Sequence, residues 1–229
     1  MIRTAVLCPH PPLLFRELAG AQDPVVDLRK AALAAVSEAV ADASHVVVVG
    51  GHDVGGAWDP STPDDVRRFG TTDPAPPRPG LPLSLGVGRR LLHEVGWSGP
   101  TDLLAVPWDA DRETVEGVAR DLAARPGGTV LLALGEGSTR RGDKAPGFLD
   151  DRAFPFDDAV AVALATGDAQ ALHDLDADLA AELMVLGATV LRVLGGVALA
   201  QGARPAASLG YRDDPHGVSW FVATWQLEV

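Results

Sequence analysis

Four consecutive valines, Val46–Val49, run straight into Gly50-Gly51-His52-Asp53. A β-branched run that stops at glycine reads as a buried strand entering a loop. Ile2-Arg3-Thr4-Ala5-Val6-Leu7-Cys8 behaves in the same way and stops at Pro9-His10-Pro11-Pro12. Between and after these runs the pattern alternates. A helix is predicted over 24–42, with Asp23 as N-cap and Pro24 at the first helical position. Strands are expected at 45–50, 102–106 and 128–134, and helices at 84–95 and 111–124. Alternation of this kind builds an α/β domain. From the loop Gly135–Asp150 the chain turns helical to about residue 201. Two strands then follow, 205–211 and 217–228, joined at Arg212-Asp213-Asp214-Pro215 as an antiparallel hairpin. The expectation is one α/β domain over 1–229, with a central mixed, mostly parallel sheet flanked by helices.

A proline-rich stretch within 51–80 carries no apolar period and reads as a long loop, a length more often found in lids or disordered segments than in compact cores. Leu179–Ala200 is apolar enough to suggest a membrane span, but Glu182 and Arg192 within it and the lack of a basic flank favour a buried helix. A formal net charge of −12 over 229 residues argues against nucleic acid or an anionic membrane as partner, since phosphate binding rests on a basic surface. Cys8 is the single cysteine. No intrachain disulfide can form, and a cytoplasmic location is the simpler expectation. Gly86-Val87-Gly88 lacks the third glycine of a dinucleotide loop, and no Gly-x-Ser-x-Gly elbow occurs.

The two histidines at strand ends carry the chemistry. Ligands of open α/β sheets bind outside the carboxyl ends of the strands, so His10 and His52 can face one crevice, and imidazole suits Zn, Fe, Cu or Ni. Pro9, Pro11 and Pro12 fix their own φ and restrict the residue before each. His10 is therefore held extended, the rigid presentation that a metal ligand needs and an ordinary loop histidine does not.

Pro9-His10-Pro11-Pro12-Leu13-Leu14, the strand ending in Gly51-His52-Asp53, Gly135-Glu136-Gly137-Ser138, Ala145-Pro146-Gly147-Phe148 with Phe156-Asp157, Gly210-Tyr211 and Pro215-His216-Gly217-Val218 come in one order. In that order they resemble the class III extradiol dioxygenase beta-subunit (LigB-like) family, to which the Memo proteins are related. The resemblance runs over nearly the whole chain. It implies an extradiol-dioxygenase-like fold, a non-haem Fe(II) site with His10 and His52 as ligands, and a carboxylate from a later helix. Glu182 is the nearest candidate for that carboxylate, its alternative role being a salt bridge with Arg192 or another base. Zn(II) is the alternative metal. Ser138, Arg140 and Arg141, in the loop that matches the family's active-site loop, are the candidate substrate contacts. The two arginines offer bidentate grips for an acidic group against a globally negative chain. Three positions depart from the family: Thr139 stands where it has a histidine base, Asp102 where it often has another histidine, and Met184-Val185-Leu186 where its carboxylate should fall. No catalytic acid or base is assigned.

The function expected is metal-dependent oxidoreductase chemistry on a small oxygen-rich or aromatic substrate. The rivals are a non-catalytic Memo-like binding or scaffold protein and a Zn-dependent hydrolase. The partner expected is a small molecule, with homo-oligomerisation left open. Cys8 reads as a small buried thiol and Asp53 as a supporting or turn residue. His216 sits in the hairpin turn. His45, His93 and His173 read as strand-start or helix-surface residues.

Overall fold

The computed structural model describes residues 1–64, 66, 69 and 80–228. Its strands are β1 (Ile2–Cys8), β2 (His45–His52), β3 (Gly56–Trp58), β4 (Thr101–Pro107), β5 (Thr129–Leu134), β6 (Arg204–Asp213) and β7 (Trp220–Glu228). Its helices are α1 (Arg16–Ala19), α2 (Val26–Val40), α3 (Leu83–Glu94), α4 (Arg112–Ala123), α5 (Ala153–Thr166), α6 (Ala169–His173), α7 (Ala177–Glu182) and α8 (Ala188–Gln201). The seven strands form one sheet in the order β3-β4-β2-β5-β1-β7-β6. The four central strands are parallel, and β3, β7 and β6 are each antiparallel to a neighbour. This is the mixed, mostly parallel α/β domain that the alternation predicts.

Both faces of the central strands are covered, which explains why the runs are continuously apolar rather than alternating. Successive side chains still point to opposite faces. Val47 and Val49 of β2, Leu131 and Ala133 of β5 and Leu7 of β1 enter the core beneath α4, α5 and α8. Val46 and Val48, Leu132 and Leu134, and Val6 and Cys8 enter the core beneath α2 and α3. Cys8 is wholly buried there, and burial pushes its thiol up to about 12.

Several boundaries differ from expectation for identifiable reasons. Asp23 is not the N-cap of α2: that position is Val25, whose N–H donates to Asp23 Oδ1. Asp23 instead pairs at 2.6 Å with Arg29, whose guanidinium also donates to the carbonyls of Leu13 and Leu14 and so ties α2 to the His10 loop. The expected long loop contains β3, which pairs with β4. The rest of the proline-rich expectation falls largely on residues outside the described ones. The apolar stretch 179–200 is two helices, not one, broken at Leu183–Gly187, where Met184 takes a φ of 53°. Among the described residues no helix is long and apolar enough to cross a membrane. The hairpin is present, but its turn lies later than expected, between Asp213 and Trp220.

Candidate metal and ligand site

Each of three neighbouring parallel strands carries a polar residue two positions beyond the same cross-strand row. Cys8, Leu134 and Gly50 are register partners on β1, β5 and β2. Two residues on stand His10, Glu136 and His52. With strands about 4.8 Å apart, that register sets the Cys8 and Gly50 backbones about 10 Å from each other, with Leu134 between them. The N–H of Gly135 donates to the Cys8 carbonyl at 2.9 Å, prolonging the β1–β5 ladder to the edge of the site.

His10 is 3% exposed. Its backbone N–H donates to Glu136 Oε2 at 3.3 Å, and its Nδ1 stands 3.8 Å from the same oxygen with no hydrogen-bond partner. Glu136 is itself buried. The His10 ring stacks on Trp108, with centroids 6.4 Å apart and planes at 15°. Trp108 follows β4 and donates its backbone N–H to the His52 carbonyl. Its six-membered ring covers Gly51 so closely that a Cβ there would lie 1.7 Å from Cζ3. The glycine in Gly51-His52 is thus where an indole crosses the end of β2.

His52 is half-buried and edge-on to Trp58, with centroids 5.4 Å apart. Its Nδ1 lies 3.1 Å from the Val54 nitrogen and 3.2 Å from the Val54 oxygen. In the tautomer that donates Nδ1–H to that carbonyl, Nε2 keeps its lone pair, the usual arrangement of a ligating imidazole.

Glu182 does not join this group. It ends α7 at the surface, its side chain 58% exposed, and accepts from Arg152 at 2.6 Å. The helix break at Leu183–Gly187 turns it outward, and its ion-pair partner is Arg152 rather than Arg192. Among the described residues no three or more His, Cys, Asp or Glu side chains gather closely enough to hold a metal ion. The triad His10, His52 and Glu182 is therefore not assembled. The carboxylate beside His10 is Glu136. The detectable sequence signal for it was its position, the same two-residue offset from a buried strand end as His10 and His52.

The loop after β5 is pinned from two sides. Ser138 is wholly buried, its N–H and hydroxyl donating to Asp157 Oδ1 and Oδ2 at 2.9 and 2.5 Å. Gly137 must lack a side chain because a Cβ would sit 2.5 Å from Asp157 Oδ1. Arg141 lies 3.5 Å from Asp157, donates to Asp214 and covers the Phe154 ring at 4.4 Å. Burial raises the Asp157 carboxyl above its ordinary range, outweighing Ser138 and Arg141. The hairpin turn folds onto the same loop: Gly217 accepts from Arg141 N–H, and Ser138 and Ser219 bridge the two backbones. His216, within that turn, is edge-on to Trp220.

Of the three expected substrate contacts, Ser138 and Arg141 are thus engaged inside the protein. Arg140 keeps a buried Nε without a hydrogen-bond partner, as does the hydroxyl of neighbouring Thr139. The remaining histidines divide. His45 pairs with Asp102 at 3.2 Å, and His93 is exposed. His173 is not on the surface but buried, Nδ1 near the Arg192 carbonyl and Nε2 near Arg112.

The donors present fit a divalent cation in one respect. Two metal–ligand bonds of about 2.1 Å span at most about 4 Å between donor atoms. The 3.8 Å between His10 Nδ1 and Glu136 Oε2 lies inside that span and outside hydrogen-bond reach.

No family model and no curated protein matches the chain. Among solved structures it is similar to a protein of Escherichia coli K12 described as uncharacterized protein JW3007. The two share 16% identity at a TM-score of 0.57, over 97% of this chain and 99% of that one. The α/β fold is therefore shared with that protein from end to end.

Proposed function

We propose that His10, Glu136 and His52 are the donors of a divalent metal site in an enzyme acting on a small oxygen-rich or aromatic molecule. Fe(II) is the metal favoured and Zn(II) its alternative. The observation that carries this reading is the pair at the end of β1 and β5: a buried imidazole nitrogen without a partner, 3.8 Å from a buried carboxylate oxygen. A buried carboxylate with so few donors is costly unless a cation or further hydrogen bonds compensate it. A divalent cation would satisfy both groups at once. His52, in the same row, supplies a third donor once its ring turns toward Glu136. The bound metal would supply open coordination positions for an oxygen-bearing substrate. Arg140 is the residue to meet an anionic group on that substrate. A single buried cysteine supports a reducing, cytoplasmic setting.

Metal analysis tests this directly. Protein reconstituted with Fe(II) or Zn(II) and then desalted should hold about one ion per chain, and His10→Ala and Glu136→Gln should each lose it. Wild-type protein that retains neither metal overturns the reading. That outcome would favour a non-catalytic binding protein, the second reading, which draws support from Thr139 at the family's base position and from the ungathered third donor.

A further inference from the structure

On the Trp108 side of the site, a cleft of about 480 Å³ opens between the β4–α4 connection and the broken α7–α8 segment. Trp108, Ala181, Val185 and Leu186 give it apolar walls, and Arg192 of α8 lines it as well. Arg192 is 6% exposed. Its Nη1 donates to the Ala110 carbonyl at 3.3 Å, while its buried Nε has no partner. Among the described residues no carboxylate lies within ion-pair distance of this guanidinium. Asp111 and Asp174 act on it only through space, opposed by Arg112. A buried cation left unpaired is costly, and proteins rarely keep one without a partner.

A second feature sits on the same wall. Met184, which also lines the cleft, has a φ of 53°, a backbone region that a non-glycine side chain seldom adopts and that clusters at ligand sites. Met184 lies within the α7–α8 break, and the break exposes Met184 and Leu186 as an apolar rim.

We propose that this cleft binds a small monocarboxylate with an apolar, aromatic-sized body, its carboxylate on Arg192 and its body along Trp108 and the α7–α8 break. The volume lies within the ordinary range for small-molecule pockets, about 300–1,000 Å³. A guanidinium with free donors is the group that best matches a carboxylate. Asp109 and Asp178, exposed on the rim, repel more highly charged anions and so favour a single negative charge. The inference does not depend on the metal site, although Trp108 borders both.

Calorimetric titration of metal-stripped protein with phenylacetate and its neutral isostere phenylacetamide tests whether the cleft recognises the carboxylate. Phenylacetate should bind at least tenfold more tightly, and Arg192→Gln should abolish that preference. Ala181→Phe, at an exposed position on the cleft wall, should weaken both ligands at least tenfold while leaving the urea midpoint and the metal stoichiometry unchanged. Equal binding of acid and amide by the wild type, or undiminished binding by Ala181→Phe, overturns the proposal. If Arg192→Gln does not fold, the acid-to-amide ratio and the Ala181 variant still decide it.

Discussion

Adding one methyl group at two glycines of this chain should move stability in opposite directions. Gly187 caps the start of α8 with φ −89°, which alanine tolerates, so backbone strain is not at issue. Space is. A Cβ at Gly187 would lie 2.3 Å from both the nitrogen and the oxygen of Glu136, backbone atoms that no rotamer can move aside. The α8 N-terminus and the β5 edge must separate by roughly 1 Å to restore van der Waals contact. Overpacking of this kind costs about 1–3 kcal/mol. The hydrogen bond from Gly187 N–H to the Glu136 carbonyl, now 3.1 Å, stretches or breaks at a further cost of about 0.5–1.5 kcal/mol. Gly187→Ala should therefore destabilise by about 2–4 kcal/mol. Gly117, inside α4, has nothing within 4 Å of its would-be Cβ. Gly117→Ala should stabilise by about 0.5–1 kcal/mol through helix propensity. Urea unfolding of the two variants measures both numbers from the midpoints, with unchanged slopes as the control. A Gly187→Ala midpoint within error of wild type would refute the close seating of α8 on Glu136.

Asp157, raised by burial, keeps its proton in the folded chain over a window in which the unfolded chain has lost it. Its contribution to stability is present below the ordinary aspartate pKa and is lost as pH rises through the folded value, so Asp157→Asn should flatten the urea midpoint's decline as pH rises above about 4; a variant that keeps the wild-type slope rules this out. Glu182→Gln, at an exposed ion pair, should leave both the urea midpoint and the metal stoichiometry at wild-type values, and lost metal would return Glu182 to the site. Cys8, wholly buried with its thiol near 12, should resist a disulfide reagent in the folded protein and react within minutes in urea; rapid reaction of the native chain would show that the β1 end opens to solvent.

What the sequence made legible followed from where its periodicity was strong. Val46–Val49 and the β1 run could be read because strands buried on two faces leave an unbroken apolar signature. The α7–α8 break could not, because Leu179–Ala200 is mostly apolar and hydrophobicity alone does not distinguish one helix from two. The break rests on a non-glycine residue in the left-handed region, Met184, that packing imposes and no local propensity announces. Asp23 misled for a related reason: its carboxylate does accept the Val25 N–H as an N-cap would, and pairs with Arg29 at 2.6 Å as well, but the regular helix starts only at Val26.

The same distinction governs the site. His10 and His52 stood out because histidine at a strand end is rare enough to notice, whereas Glu136, in an ordinary-looking Gly-Glu-Gly, did not. Its significance lies in the register Cys8–Leu134–Gly50, a relation among three strands that are far apart in sequence. Glu182 drew attention for the opposite reason, as a carboxylate within an apolar stretch; a helix break turns it into an exposed partner of Arg152. In a parallel sheet, then, polar residues sharing one offset past buried strand ends are better candidates for a common site than a conspicuous charge inside a helix. The strand ends from which the offset is counted are fixed by the hydrogen-bond ladder, while the helix can rotate, bend or stop. Applied here, that criterion selects Glu136 over Glu182, and the metal stoichiometries of Glu136→Gln and Glu182→Gln decide between them.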